Sequence, residues 1–407
     1  MCPGDSFCSF TVSLFYCFTV RMHNANRRRI ALALAIALTL AIRYARPLEA
    51  AAPAQAFAPV GSERALARTP GIYEWRWTAA RGPSPLDRIG LHRITAGPHA
   101  PAHPGLVVLY LPGTNMNGEI AIDDERYSMP VYLAAHGVDV WTLDYRTHFV
   151  APDTAPEGLA AMAGWTGALF AEDVAAAAAF VCAQTHAGRI FVAGFSRGAA
   201  FAYLFAAEHP QQVAGLAILD GFIPRGAKSA VAAGPVAEDI GGRHLTYQKR
   251  RALLEAVIRD PGGPAPLPEF KTAAENLEHV VYSADGVFGG HGGLANPQGG
   301  FSDAAVLARV LIEYDRWWPA VQERDNPFDA SVLARLRASR IPVIAFSSTN
   351  IGPRWSAMVA TSAAATGSAD VTVKRLAGWG HLDVICGTHA ESEVFAPLLA
   401  WLRRHQK

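Results

Sequence analysis

Charge is scarce in this chain, and neither sign prevails. Only 17% of its 407 residues are charged, with 36 Lys and Arg against 35 Asp and Glu. So even a balance creates no field that would gather nucleic acid or an anionic membrane surface, and neither is an expected partner. The densest basic runs, Arg27-Arg28-Arg29 and Arg403-Arg404, lie near the two ends and form no binding stripe. Cysteine is also sparse. Cys2, Cys8 and Cys17 sit at the very start, which leaves Cys182 and Cys386 in the body, with no CxxC pair and no metal-ligand spacing. Whether those two pair is left open. There is no HExxH, no EF-hand loop and no dinucleotide fingerprint. The Gly-rich run Gly289-Gly290-His291-Gly292-Gly293 lacks the Lys and Ser/Thr of a phosphate loop. The expectation is therefore no metal and no cofactor.

Apolar residues are plentiful at 51%, enough for a large core. The chain opens with material of another kind. Arg27-Arg28-Arg29 precedes the apolar run Ile30 to Ile42, and the small-residue stretch that follows contains Ala54-Gln55-Ala56. Positive region, apolar run and A-x-A site are the parts of a secretory signal peptide. The run is short of the roughly 20 residues that span a bilayer. Residues 1–56 are read as a targeting segment, with translation beginning at Met22 in the cleanest version of that logic. Export to a periplasmic or secreted location is expected. The alternative is an uncleaved N-terminal anchor, the one membrane contact the sequence suggests.

From about residue 70 strand-like and helix-like segments alternate, which favours an α/β fold with a predominantly parallel sheet flanked by helices. Leu106 to Leu111 is a continuous apolar run, the pattern of a strand covered on both faces. Further strands are expected at Val138 to Leu143, Arg189 to Ala193, Ala214 to Leu219, Ile341 to Phe346 and Val371 to Leu376. The rhythm breaks between 222 and 330, where helical stretches (Leu245 to Ile258, Ala304 to Trp318) stand among Gly- and Pro-rich turns. The division expected is a core at 70–221, a helical cap or lid insertion at 222–330, and the rest of the core at 331–407.

The strongest local signal is Gly194-Phe195-Ser196-Arg197-Gly198, a G-x-S-x-G between an expected strand and an expected helix. A nucleophile on such a turn stands clear of the sheet at a helix N-terminus, where N–H groups favour developing negative charge. A plain serine in a tight turn is the bland alternative. A second signal is His381 in Gly378-Trp379-Gly380-His381-Leu382-Asp383, after the last expected strand. A loop-borne imidazole has the pKa and the reach of a general base.

With these motifs the chain resembles the α/β-hydrolase fold serine hydrolases, esterase- and lipase-like, over nearly all of residues 70–405. Leu111-Pro112-Gly113-Thr114 is similar to that family's oxyanion loop, and by that resemblance the N–H groups of Thr114 and Arg197 would hold the oxyanion. Asp144-Tyr145-Arg146 resembles the Asp-x-Arg that follows the family's fourth strand. The family's usual place for the triad acid reads Ser347-Ser348-Thr349-Asn350 here and holds no carboxylate. Asp220, which ends the strand after the nucleophile helix, is the first choice for the acid. Asn350 in an orienting role and Asp383 are the alternatives. His148 and Trp317-Trp318 are weaker candidates for lining a pocket. The resemblance implies hydrolysis of a small-molecule carboxylic ester through an acyl-enzyme. An amidase, peptidase or acyltransferase on the same triad is one alternative, and a degenerate hydrolase that only binds is another. Acyl chain length and oligomeric state are not set by the sequence.

Overall fold

Residues 55–407 form one compact unit in a computed structural model of the protein. The structure describes residues 57–101, 104–224, 235–241, 245–282 and 302–406. The proposed targeting segment 1–56 and the run Gly289 to Gly293 lie outside the described residues.

Ten described strands form the main sheet, nine of them in the order β1-β3-β4-β6-β5-β7-β8-β11-β12, with β2 also pairing β3. The antiparallel edge consists of β1 (Ala58–Pro59), β2 (Arg64–Ala65), β3 (Ile72–Ala80) and β4 (Arg88–Ala96). The parallel part follows with β5 (Val107–Leu111), β6 (Asp139–Asp144), β7 (Ile190–Phe195), β8 (Val213–Leu219), β11 (Val343–Ser348) and β12 (Val371–Leu376). Every residue of β5, β6 and β7 is buried. That is why β5 and β7 read as unbroken apolar runs rather than alternating ones: helices cover both faces. On one side lie α1 (Met129–Ala135) and the C-terminal helix. On the other lie α2 (Gly167–Thr185) and α3 (Arg197–Glu208), whose small Ala-rich faces pack close to the strands.

The stretch 222–330 does contain helices, α4 (Tyr247–Arg259), α5 (Ala273–Tyr282) and α6 (Ala304–Ile312). It also contains a feature the sequence reading missed. β9 (Ala237–Asp239) and β10 (Trp317–Pro319) pair as a two-stranded antiparallel sheet. Trp317 and Trp318 were expected at a helix end, yet they are strand residues. The helix stops at Ile312, and Pro319 keeps the residue before it, Trp318, in extended backbone. The chain returns through α7 (Ala330–Ser339), α8 (Pro353–Ala364) and α9 (Ala396–His405). Cys182 and Cys386 are both free thiols.

One buried ion cluster fixes the antiparallel edge to the parallel strands. His92 on β4 places Nδ1 2.8 Å from Glu74 Oε1 and Nε2 2.9 Å from Asp144 Oδ2. Burial alone would lower the pKa of His92, but the charge of Asp144 and the hydrogen bonds to Asp144 and Glu74 raise it to about 10. Glu74, His92 and Glu119 are close enough together to suggest a metal site. With both ring nitrogens facing carboxylates, however, the imidazole stands as a protonated ion-pair centre with no lone pair to offer. His92 takes up its proton more tightly in the folded chain than the ordinary 6.5 of the unfolded one. Its contribution to stability is therefore complete below pH 6.5 and is lost as pH rises through about 10. His92→Gln should be most destabilising near pH 6, with the gap to the parent narrowing towards pH 10. Urea unfolding at several pH values measures this, and a gap independent of pH would contradict it.

Candidate active site

The chain order of the parallel strands reverses between β5 and β7, and the loops after those two strands diverge at the C-terminal edge of the sheet. Open α/β sheets bind ligands at such a point. Thr114 follows β5 and Ser196 follows β7, so the fold brings two of the expected site residues to one crevice.

Ser196 occupies the bend between β7 and α3 with φ 52 and ψ −117, a conformation that costs a residue bearing a Cβ of the order of 1–3 kcal/mol. Main-chain bonds hold it there. The Ser196 N–H donates to Leu219 O at 3.0 Å, and the Ala199 N–H donates to Ser196 O at 3.1 Å. The motif's glycines make room for the bend. A Cβ on Gly198 would lie 2.0 Å from the carbonyl oxygen of Leu111, a backbone atom of the neighbouring strand that cannot step aside. A Cβ on Gly113 would lie 3.1 Å from Ser196 Cβ, which measures how closely the loop after β5 leans on the serine.

Asp220 directly follows β8, one strand over, also with positive φ (50°) and fully buried. In the register Phe195 lies opposite Leu219, so the residues that follow them, Ser196 and Asp220, leave the sheet side by side. His381 arrives from the loop after β12. Its Nδ1 is 2.7 Å from Asp220 Oδ2. Its ring stacks on Phe195 with centroids 4.6 Å apart, and Trp355 meets it edge-on at 5.3 Å. Because Phe195 directly precedes Ser196, the imidazole is held at the strand end that carries the serine. Asp220 accepts three further hydrogen bonds: Ser348 N–H at 2.8 Å, Ser348 Oγ–H at 2.6 Å and Trp355 Nε1–H at 3.0 Å. A buried carboxylate with four donors around it is held in one orientation.

The other two candidates for the acid have different work. Asn350 gives its side-chain amide to Gly378 O at 2.9 Å and its N–H to Trp379 O at 3.0 Å, so it supports the histidine loop from below. Asp383 accepts from Gly380 N–H at 2.7 Å and from Ser302 N–H and Oγ–H at 2.9 and 3.1 Å. Both brace main chain around His381. The missing carboxylate after β11 also has a structural counterpart. That position holds Ser348, whose N–H and hydroxyl anchor the Asp220 carboxylate that follows β8.

Arg197 is the first residue of α3, where an N–H has no acceptor within the helix. Its guanidinium pairs with Glu323 and so is turned away from that N–H's task. Among the described residues no hydrogen bond takes up the Thr114 N–H. Asp144-Tyr145-Arg146 proves to be scaffold. Asp144 accepts Gly118 N–H at 2.7 Å, the buried Tyr145 hydroxyl donates to Pro112 O at 3.0 Å, and Arg146 bridges Asp173 and Asp87. A cleft of about 610 Å³ opens beside Ser196, walled by Thr114, Ala200, Phe222, Trp355 and Met358, with Glu323 from the insertion. His148 and Trp317-Trp318 are not among its lining residues. His148 instead bonds Asp315, and Trp318 is core.

Sequence reasoning overlooked Ser348, Trp355, Asn115 and Asp315. No local motif marks them, because each acts on the site only after distant segments have met.

No curated protein matches the chain by sequence. Among solved structures, a proposed lipase from Sulfolobus solfataricus superposes with a TM-score of 0.71 at 23% identity, covering 86% of this chain and 99% of its own. A thermophilic esterase from Thermogutta terrifontis, with malate bound, gives 0.46 at 16% identity, covering 82% and 99%. The family model of the alpha/beta hydrolase fold matches residues 107–260, the stretch that carries β5 through β8 and the serine bend. Sheet order, helix layers and that match agree: the chain has the α/β-hydrolase fold.

Proposed function

We propose that the protein is a serine hydrolase that cleaves small-molecule carboxylic esters through an acyl-enzyme. The observation that carries this reading is the meeting of a strained Ser196 with a His381–Asp220 pair at one sheet edge, beside an open cleft. Asp220 accepts the Nδ1–H of His381 and so leaves Nε2 as the basic atom. As Ser196 Oγ bonds to the ester carbonyl carbon, its proton passes to His381 Nε2. The carbonyl π electrons move onto oxygen, where the N–H groups of Thr114 and Arg197 receive the charge. Collapse expels the alcohol, which takes the proton from His381. Water then repeats the sequence and releases the acid. The mixed lining of the cleft, with Phe222, Trp355 and Met358 against Glu323, suits a neutral ester of modest size. The lipase assignment of the Sulfolobus solfataricus neighbour agrees with this choice. The carboxylate bonded to His381 favours an active site over a binding-only relic.

The test is a panel of p-nitrophenyl esters, matching amides and alternative acyl acceptors, beside labelling by a fluorophosphonate probe. Ester turnover with labelling at Ser196 supports the reading. Turnover confined to amides or to transfer would reassign the chemistry, and absence of both labelling and turnover would end it. Export directed by residues 1–56 belongs to the same proposal, with an uncleaved anchor as the alternative. N-terminal sequencing of the mature protein separates the two.

A further inference from the structure

The loop after β5 carries the Thr114 N–H, and most of what holds that loop comes from the insertion. Asn115, next to Thr114, has φ 60, a left-handed conformation that a non-glycine residue keeps only when its surroundings impose it. Here the segment 313–316 imposes it. The Asp315 N–H donates to Asn115 O at 2.7 Å, and the Asn115 amide donates back to Asp315 O at 3.0 Å. Two residues on, the Asn117 amide donates to Glu313 O at 2.7 Å and to Asp315 Oδ1 at 3.0 Å. The Asp315 side chain, only 7% exposed, also accepts from Thr147 Oγ at 3.2 Å and faces His148 Nδ1 at 3.1 Å. His148 in turn stands 4.0 Å from Glu119. The same loop is tied from the core side by Asp144, which accepts the Gly118 N–H.

We infer that Asp315 is a positioning residue for the oxyanion loop: the insertion's buried carboxylate and main chain clamp Asn115 and Asn117 and so fix the direction of the Thr114 N–H. The inference rests on the hydrolase reading above. This part of the insertion is then no swinging lid, because moving it would dismantle the loop that receives the oxyanion. His148 supports the clamp as the cation facing the buried carboxylate. Burial would lower its pKa, but the hydrogen bond to Asp315 and the charges of Asp144 and Asp315 raise it to about 9, so it is charged at neutral pH.

The experiment compares the full chain with Asp315→Ala, the near-isosteric Asp315→Asn, and Arg251→Ala as a control. Arg251 lies on the same insertion in an exposed pair with Glu255. Two readouts are taken: amide hydrogen exchange over residues 112–119, and kcat and KM for a p-nitrophenyl ester. A trifluoromethyl ketone serves as a tetrahedral analogue. Loss of a properly aimed oxyanion donor costs about 10²–10³ in kcat, so partial misplacement should cost about ten- to hundredfold. In both Asp315 variants exchange over 112–119 should quicken, kcat should fall by that factor, and analogue affinity should fall with it while KM stays near the parent's. Arg251→Ala should change none of these. Unchanged exchange in Asp315→Ala, or equal loss of kcat and analogue affinity in Arg251→Ala, overturns the inference. So does an Asp315→Asn variant that melts earlier but keeps its kcat. Quickened exchange in the Asp315 variants of a parent that hydrolyses no ester supports the clamp and tells against the hydrolase reading alone.

Discussion

Ser196→Ala is expected to lower kcat for a p-nitrophenyl ester by on the order of 10⁶-fold and to abolish fluorophosphonate labelling. The magnitude follows from the division of labour at the site. Without the hydroxyl, the His381–Asp220 pair has no proton to take and no covalent step to assist, so the whole contribution of the covalent route goes at once. The cleft and the Thr114 and Arg197 N–H groups remain, and KM should stay close to the parent's. A companion variant reads the strain independently of chemistry. At φ 52 and ψ −117 a glycine pays no Cβ penalty, so Ser196→Gly should be inactive yet more stable than Ser196→Ala, by roughly 1 kcal/mol in urea unfolding. An alanine variant that retained labelling would move the nucleophile elsewhere.

Asp220→Asn is expected to cost about 10⁴-fold in kcat, the loss seen when a triad carboxylate becomes an amide in serine proteases. Four donors converge on this side chain, and an asparagine offers them one oxygen. Its NH₂ group must then face either Ser348 and Trp355 or His381. Facing His381, it forces Nδ1 to accept and Nε2 to carry the hydrogen, and an Nε2–H cannot take the serine proton. Facing the other side, it leaves the buried Ser348 N–H without an acceptor, at a cost of about 1–3 kcal/mol in stability. Asn350→Ala separates the candidates for this role. Its amide bonds the Gly378 carbonyl, so its loss should loosen the histidine loop and reduce kcat far less than Asp220→Asn does. The reverse order, measured as kcat on one ester, would return the orienting role to Asn350.

The two variants probe features that differed in how readily they could be seen in the sequence. The bend at Ser196 is a local matter. Strand, glycine, serine, glycine and helix follow one another within about twenty residues, and each shapes the next. The buried strands were equally plain, because burial on both faces leaves no polar positions in β5 or β7. By contrast, β10 was taken for the end of a helix. Trp317-Trp318 fits a buried helix as well as a strand, and only its pairing with Ala237–Asp239, some eighty residues earlier, separates the two. His148, read as a pocket or surface residue, became a half-buried ion-pair partner because Asp315 arrives beside it from 167 positions away.

By itself, then, the sequence determined the class of fold, the order of the elements in its parallel core and the two short motifs bearing Ser196 and His381, since each depends on neighbours along the chain and on the period of apolar residues. Tertiary structure alone decided which carboxylate meets the imidazole, what anchors that carboxylate, and what holds the loop bearing Thr114. Those are contacts between segments 100 to 200 residues apart, created by strand order and register. No spacing within any one segment encodes them.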